Sequence, residues 1–260
     1  MTTITQLKTI IIKLTPKDNI TMGYKTYSKD SAFSFTYGGF PTYELLTHKP
    51  DNVREILLHD KIKQTEIVDN ILSISRDHNI KITHDSKLVE KLSGKGNVYI
   101  IGVFEKYHNP VDHNANQVLL CNPSDMGNLG TIIRVMLGFG YKNLSIIKPS
   151  IDVFDPKVIR ASMGSIFSIN IELFDSVEDY IKINHNQMYP FMLNAEHTLQ
   201  ELEFKKFPHT LAFGNEAHGL DDKFLKIGTP LLIKHSHEID SLNLSMSVGI
   251  ALYEFNKTNN

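Results

Sequence analysis

Three short segments set polar side chains where an apolar run gives way to a turn or a helix, and each could do chemistry. In the first, NPSDMGNLGTIIRVMLGFG (122–140), Asn128 stands near the start of a helix and Arg134 well inside it. Ile132, Ile133, Val135 and Met136 flank the arginine, and a guanidinium in such company is costly to bury unless it is paired or snorkels to water. In the second, LAFGNEAHGLDDKFL (211–225), an apolar strand runs into Gly214, then Asn215, Glu216 and Gly219. Glycines there permit a tight turn or a close approach of ligand to backbone. Glu216 is a candidate partner for a buried arginine, or simply part of a turn before a helix capped at Asp221. In the third, IDSLNLSMSVGIALYEF (239–255), Ser241 and Asn243 precede an apolar helix. They could orient a ligand or merely cap that helix, and Ser245 or Ser247 could serve as well.

A cation, a carboxylate, two amides and a hydroxyl can bind and orient a polar ligand without a metal or a covalent intermediate. Other chemistries lack their residues. There is no P-loop, GxGxxG, HExxH or CxxC spacing. His235 and His237 form a pair with no third ligand at a clear spacing, so a zinc site is not expected. The missing glycine fingerprint also argues against a dinucleotide-dependent oxidoreductase.

The elements that would position these residues follow from the apolar periodicity. SAFSFTYGGF (31–40) alternates like a strand and leads to a short helix, TYELLTH. DNVREILLHD reads as a helix capped by Asp51, and KQTEIVDNILSISRDHN has helical spacing. IKIT is a short strand, DSKLVEKLSG a helix closed by Gly94, and NVYIIGVFE a β-rich run. HNPVDHNAN (108–116) is polar and contains a proline, so a domain boundary falls there. From Gln117 onwards strands (QVLLCN, NLSIIK, SINIELF, MYPFMLN, HTLAFG, PLLIKH) alternate with helices, one of them DPKVIRASMGSIF beginning at Asp155-Pro156. The fold class is therefore α/β, with a mainly parallel sheet after residue 116 and a smaller α/β unit before it. In such sheets ligands bind beyond the carboxyl ends of the strands, where all three polar segments begin.

Together the three segments resemble the signature motifs of the SpoU (TrmH-like) family of RNA methyltransferases, in the family's order. Asn128, Gly130 and Arg134 match the first motif. Phe213, Gly214, Glu216, Gly219 and Leu220 match the second. Ser241, Leu242, Asn243 and Ser245, with Ala251, Leu252, Tyr253 and Glu254, match the third. The RASMG stretch (160–164) looks like one common in the branch that modifies ribosomal RNA. FPTYELL and NVREILLHD look like that branch's small substrate-binding domain, similar in fold to ribosomal protein L30e. Ala217-His218 departs from the glycine and lysine common there, without touching a catalytic position.

The resemblance implies an amino-terminal substrate-binding domain (1–110), a linker (111–116) and a SpoU methyltransferase domain (117–260) tied in a trefoil knot. It implies S-adenosylmethionine as methyl donor, held by backbone at Gly214, Ile233 and Leu242, and a homodimer packed through the small residues of the last helix. The acceptor would be a ribose 2′-hydroxyl in RNA, ribosomal RNA before transfer RNA. Arg134 would gather that hydroxyl and its neighbouring phosphate, or accept the proton. Glu216 would pair with Arg134, while Asn128, Asn243 and Ser241 would orient arginine or ribose. No metal is needed, because a sulfonium is already an activated leaving group. Base methylation and a non-catalytic RNA-binding protein of the same fold are the competing readings.

Composition fits this expectation without carrying it. The chain has 260 residues, 41% hydrophobic and 22% charged, with a formal charge of −2. Such a balance does not suit a non-specific nucleic-acid coat, so RNA must find a local basic face. No run approaches the roughly 18 apolar residues of a membrane span, and MTTITQLKTIIIKLTPKD reads as a strand rather than a signal peptide. The single cysteine, Cys121, lies in an apolar run as a buried thiol would and forms no internal disulfide. A reducing, cytoplasmic setting is expected.

Overall fold

The computed structural model describes residues 23–94, 97–202 and 207–257. The strand expected in the first 18 residues lies outside them.

Beyond Gln117 the apolar runs QVLLC, NLSII and HTLAF are buried along their whole length, as strands covered on both faces must be. They form β5 (Gln117–Cys121), β6 (Asn143–Ile147) and β10 (His209–Phe213). With β7 (Asn170–Phe174) and β8 (Gln187–Pro190) they make a five-stranded sheet in the order β7-β6-β5-β10-β8. Every pairing in it is parallel. The chain winds outward from β5 to β6 and β7, then crosses to β8 and β10 on the other side. The switch point therefore lies between β5 and β10, where a parallel sheet leaves a crevice at its carboxyl edge.

Four helices complete the crevice or support it. α4 (Met126–Gly138) follows β5 directly, and the Asp125 side chain caps it by accepting from the Asn128 amide at 2.7 Å. α5 (Pro156–Ala161) follows β6, and α6 (Val177–Ile183) follows β7. The closing helix α7 (Leu244–Asn256) packs on α4. A two-residue parallel pair, β9 (His197–Thr198) with β11 (Leu231–Leu232), flanks the sheet.

The preceding unit holds β1 (Phe33–Tyr37), α1 (Gly39–His48), β2 (Val53–Leu58), α2 (Glu66–Asp77), β3 (Lys81–His84), α3 (Ser86–Ser93) and β4 (Ile100–Glu105). Its sheet runs β1-β4-β2-β3, antiparallel except for β2 with β3. Phe104 of this sheet packs edge-on against Phe154 and Phe167, at 5.9 and 5.3 Å between ring centroids. The two sheets thus share one continuous core. Lys106 and Tyr27 add a polar tie to Asp152 in the loop after β6, the lysine at 2.7 Å.

Two segments differ from the sequence expectation. VREILL is a strand, not a helix: it lies between β3 and β4 with only Arg54 exposed, and its four apolar residues are too few to show a period that distinguishes the two. DPKVIRASMGSIF is not one helix. Met163 and Gly164 adopt φ of 53° and 85°, which breaks it into α5 and a single 3₁₀ turn over Ser165–Ser168.

α4 and α5 meet at Gly130. A β-carbon there would collide with the Ala161 side chain and lie 2.8 Å from the Val158 carbonyl. Gly130→Val should therefore cost about 1–3 kcal/mol by overpacking. Gly138→Ala, where nothing lies within 4 Å, should be neutral or mildly stabilising. Thermal denaturation of the two variants checks the contrast.

Candidate active site

The turn after β10 is shaped by its glycines. A β-carbon on Gly214 would overlap the Gly219 carbonyl, and Gly219 itself has φ of 68°. Asn215 and Gly219 exchange backbone hydrogen bonds at 3.2 and 2.9 Å, and the Asn215 side chain accepts from the Ala217 amide at 2.9 Å. This tight loop turns Glu216 back towards the start of α4. Its carboxylate accepts from the Ser124 hydroxyl at 2.7 Å, the Ser124 amide at 3.1 Å and the Asp125 amide at 3.2 Å. The Asn128 side-chain amide reaches it at 3.4 Å. A carboxylate at a helix start also meets the positive end of the helix dipole.

The third segment joins the same network. The Asn243 carbonyl oxygen caps α7 by accepting from the Ser245 amide at 2.9 Å and the Met246 amide at 3.3 Å. Its side-chain nitrogen donates to the Asn128 oxygen at 3.0 Å. Glu216, Asn128 and Asn243, far apart in sequence, thus form one chain of hydrogen bonds.

A cleft of about 500 Å³ opens beside that chain, within the usual size of a small-molecule site. Asn128, Gly214, Glu216, Ile233, Ser241, Leu242 and Asn243 all line it. The sequence also pointed to Arg134, which does not. Arg134 is exposed on the outer stripe of α4 with Gly127, Thr131 and Gly138, while Leu129, Ile132, Ile133 and Met136 face the core. Its apolar neighbours in sequence occupy other faces of the helix, each 100° away. The expected Arg134–Glu216 pair is therefore absent, and Glu216 grips backbone and amide groups instead. Asn128 and Asn243 bind each other, not the arginine.

The cleft also contains residues that the sequence did not single out. Phe191, just after β8, stacks flat on Phe213 at 4.6 Å and 4°, and with Leu232 it gives the cleft an apolar wall. The signal was available, since MYPFMLN is another strand ending at the carboxyl edge of the sheet. His235 lines the cleft with Nδ1 2.8 Å from the Ile233 carbonyl. Among the described residues no three His, Cys, Asp or Glu side chains converge as a metal site. No described helix is long and apolar enough to cross a membrane. Burial pushes the Cys121 thiol up to about 12, far from reactive.

A parallel sheet with a crevice at its switch point, a glycine-shaped backbone turn and an apolar wall defines a small-molecule-binding α/β protein whose cleft is built for a ligand with both flat and polar parts. A model of the SpoU rRNA methylase family matches residues 115–253, and the chain belongs to that family. An uncharacterised tRNA/rRNA methyltransferase of Synechocystis is 28% identical over 65% of this chain and 63% of its own length. A 23S rRNA (adenosine(1067)-2′-O)-methyltransferase of Streptomyces azureus is 31% identical over 53% of this chain and 52% of its own. The chain thus spans between half and two thirds of these curated relatives. In fold it is similar to the SpoU methyltransferase AviRb of Streptomyces viridochromogenes. That likeness has a TM-score of 0.74 at 22% identity and covers 87% of this chain and 90% of the other. An AdoMet-bound rRNA methyltransferase of Sinorhizobium meliloti has the same score at 23% identity, covering 87% and 88%.

Burial raises the affinity of the Glu216 carboxyl for its proton, but the hydrogen bonds from Ser124 and Asp125 outweigh it and hold the group below the usual carboxylate range. A lowered folded pKa stabilises the protein above the unfolded value, and that stabilisation is lost as pH falls. Glu216→Gln should lower the melting temperature at pH 7, and the gap to the unsubstituted protein should shrink as pH drops below about 4.5. Melting curves across pH 3–7 check this.

Proposed function

We propose that this chain is an RNA 2′-O-methyltransferase using S-adenosylmethionine, with ribosomal RNA as the favoured substrate. The observation that carries the reading is the convergence of all three motif segments on one cleft through Glu216, Asn128 and Asn243. The names of relatives that act on rRNA ribose add support.

The cleft suits the proposed donor. Gly214, Ile233 and Leu242 offer backbone at its rim, and Phe191, Phe213 and Leu232 supply the apolar surface that an adenine needs. When bound, the donor supplies a sulfonium-activated methyl group. The Glu216–Asn128–Asn243 chain fixes the floor on which acceptor and donor meet, so positioning is set before the substrate arrives. Ser241, exposed at the mouth, is available to the acceptor ribose. Arg134 makes no ion pair or side-chain hydrogen bond among the described residues and is free to grip the acceptor's phosphate and 2′-hydroxyl.

A homodimer belongs to the same reading. α7 packs on α4 and leaves Met246 60% and Tyr253 52% exposed, apolar surface that a second copy would cover. Residues 1–110 serve as the substrate-binding unit, 111–116 as linker and 117–260 as the methyltransferase unit, knotted where the chain passes from β11 into α7. The outward Arg134 favours one competing reading, an RNA-binding protein that transfers nothing.

Incubation with methyl-tritiated S-adenosylmethionine and protein-free ribosomal RNA, followed by digestion to nucleosides, separates the two. Label should appear on a 2′-O-methylated nucleoside. Arg134→Ala should cut it by about a hundredfold or more, the scale of losing one positioned transition-state contact, with cofactor affinity kept. Label on a base, or near-normal transfer by Arg134→Ala, would contradict the assignment.

A further inference from the structure

The RASMG stretch has no part in the cleft, yet its position is unusual. α5 ends against α4, where a β-carbon on Gly130 would lie 2.9 Å from the Ser162 amide. The turn that follows lies against α1, where a β-carbon on Gly164 would lie 2.8 Å from the Glu44 side chain and 3.0 Å from Pro41. The turn is therefore wedged between the methyltransferase unit and the preceding unit, and both contacts need glycine. What it leaves on the surface is a ledge. Phe40, next to Pro41, is 60% exposed, and Met163 is 37% exposed. Arg160 and Lys157 are exposed on α5, and Thr131 and Arg134 are exposed on the adjoining helix α4.

None of the three cations makes an ion pair or side-chain hydrogen bond among the described residues. The nearby carboxylates are engaged. Glu44 lies 3.2 Å from the His48 ring, and Asp155 caps α5 by accepting from the Lys157 amide at 2.8 Å. Phe40 has no ring partner among the described residues. An aromatic face beside free cations is the combination that single-stranded nucleic acid uses, the ring stacking on a base and the cation meeting a phosphate. With an overall charge of −2, RNA needs a local basic face, and this ledge offers one.

We propose that Phe40 and Arg160 hold a nucleotide of the RNA next to the one being modified, Phe40 by stacking on its base and Arg160 by binding its phosphate. This rests on the reading of RNA as substrate and adds the residues that dock it. Their location on both sides of the wedge makes the ledge a ruler. The nucleotide it holds sets which ribose reaches Arg134.

Fluorescence anisotropy with a labelled 15-nucleotide single-stranded RNA tests this on the whole chain. Phe40→Ala should weaken binding about tenfold, and Phe40→Tyr should keep it. Arg160→Ala should weaken binding and lower the slope of log affinity against log salt by about one. Calorimetry with S-adenosylmethionine should give the same affinity for every variant, showing that each is folded. Phe40→Ala binding RNA as tightly as the unsubstituted protein would overturn the proposal. So would unchanged RNA binding together with altered self-association, which would make the ledge a subunit contact. Phe40-dependent RNA binding without methyl transfer would leave the ledge standing and remove the enzymatic reading instead.

Discussion

The site depends on one carboxylate holding two loops together. Glu216 takes the Ser124 hydroxyl and the amides of Ser124 and Asp125, so the turn after β10 is fastened to the start of α4. Asn128 passes the connection to Asn243, which also caps α7. Remove the carboxylate and the amides at the helix start lose their acceptor, the turn loses its anchor and the cleft loses its floor. The glycines serve the same arrangement. Gly214 lets the turn close on itself, and Gly130 lets α4 sit close enough to α5 to present Asn128.

Much of this was legible in the sequence because the apolar patterning from Gln117 onwards is unambiguous. Buried strands alternating with helices specify a parallel sheet, and polar residues at the strand ends mark its crevice. Seven of the eight residues that the strand ends and the SpoU resemblance together singled out line one cleft. Of the two readings the sequence left open for Arg134, buried against a partner or reaching water, the exposed one holds, and the pair with Glu216 does not form. Ile133 and Val135 adjoin it in sequence but point elsewhere on the helix. VREILL was misread because its few apolar positions fit a helix and a two-faced strand equally well. Phe191 went unnoticed although MYPFMLN also ends at the carboxyl edge of the sheet, because an apolar residue there does not announce its stacking on Phe213.

The outward arginine changes how the site must work. Glu216, Asn128 and Asn243 line the cleft as one hydrogen-bonded chain, whereas Arg134 is exposed on the outer stripe of α4. On the proposed reading, cofactor binding and acceptor activation fall to separate places: the cleft holds the donor, and the outer face of α4 meets the acceptor.

The central claim is that this cleft is the S-adenosylmethionine site, and titration calorimetry on the unsubstituted chain and on Leu242→Arg tests it most directly. Leu242 lines the cleft and is only half-buried, so an arginine there fills the space without entering the core. The account predicts binding by the unsubstituted protein, loss of binding in the variant and similar melting temperatures for both. Equal binding by the two proteins would place the cofactor elsewhere, and no binding by either would contradict the account outright.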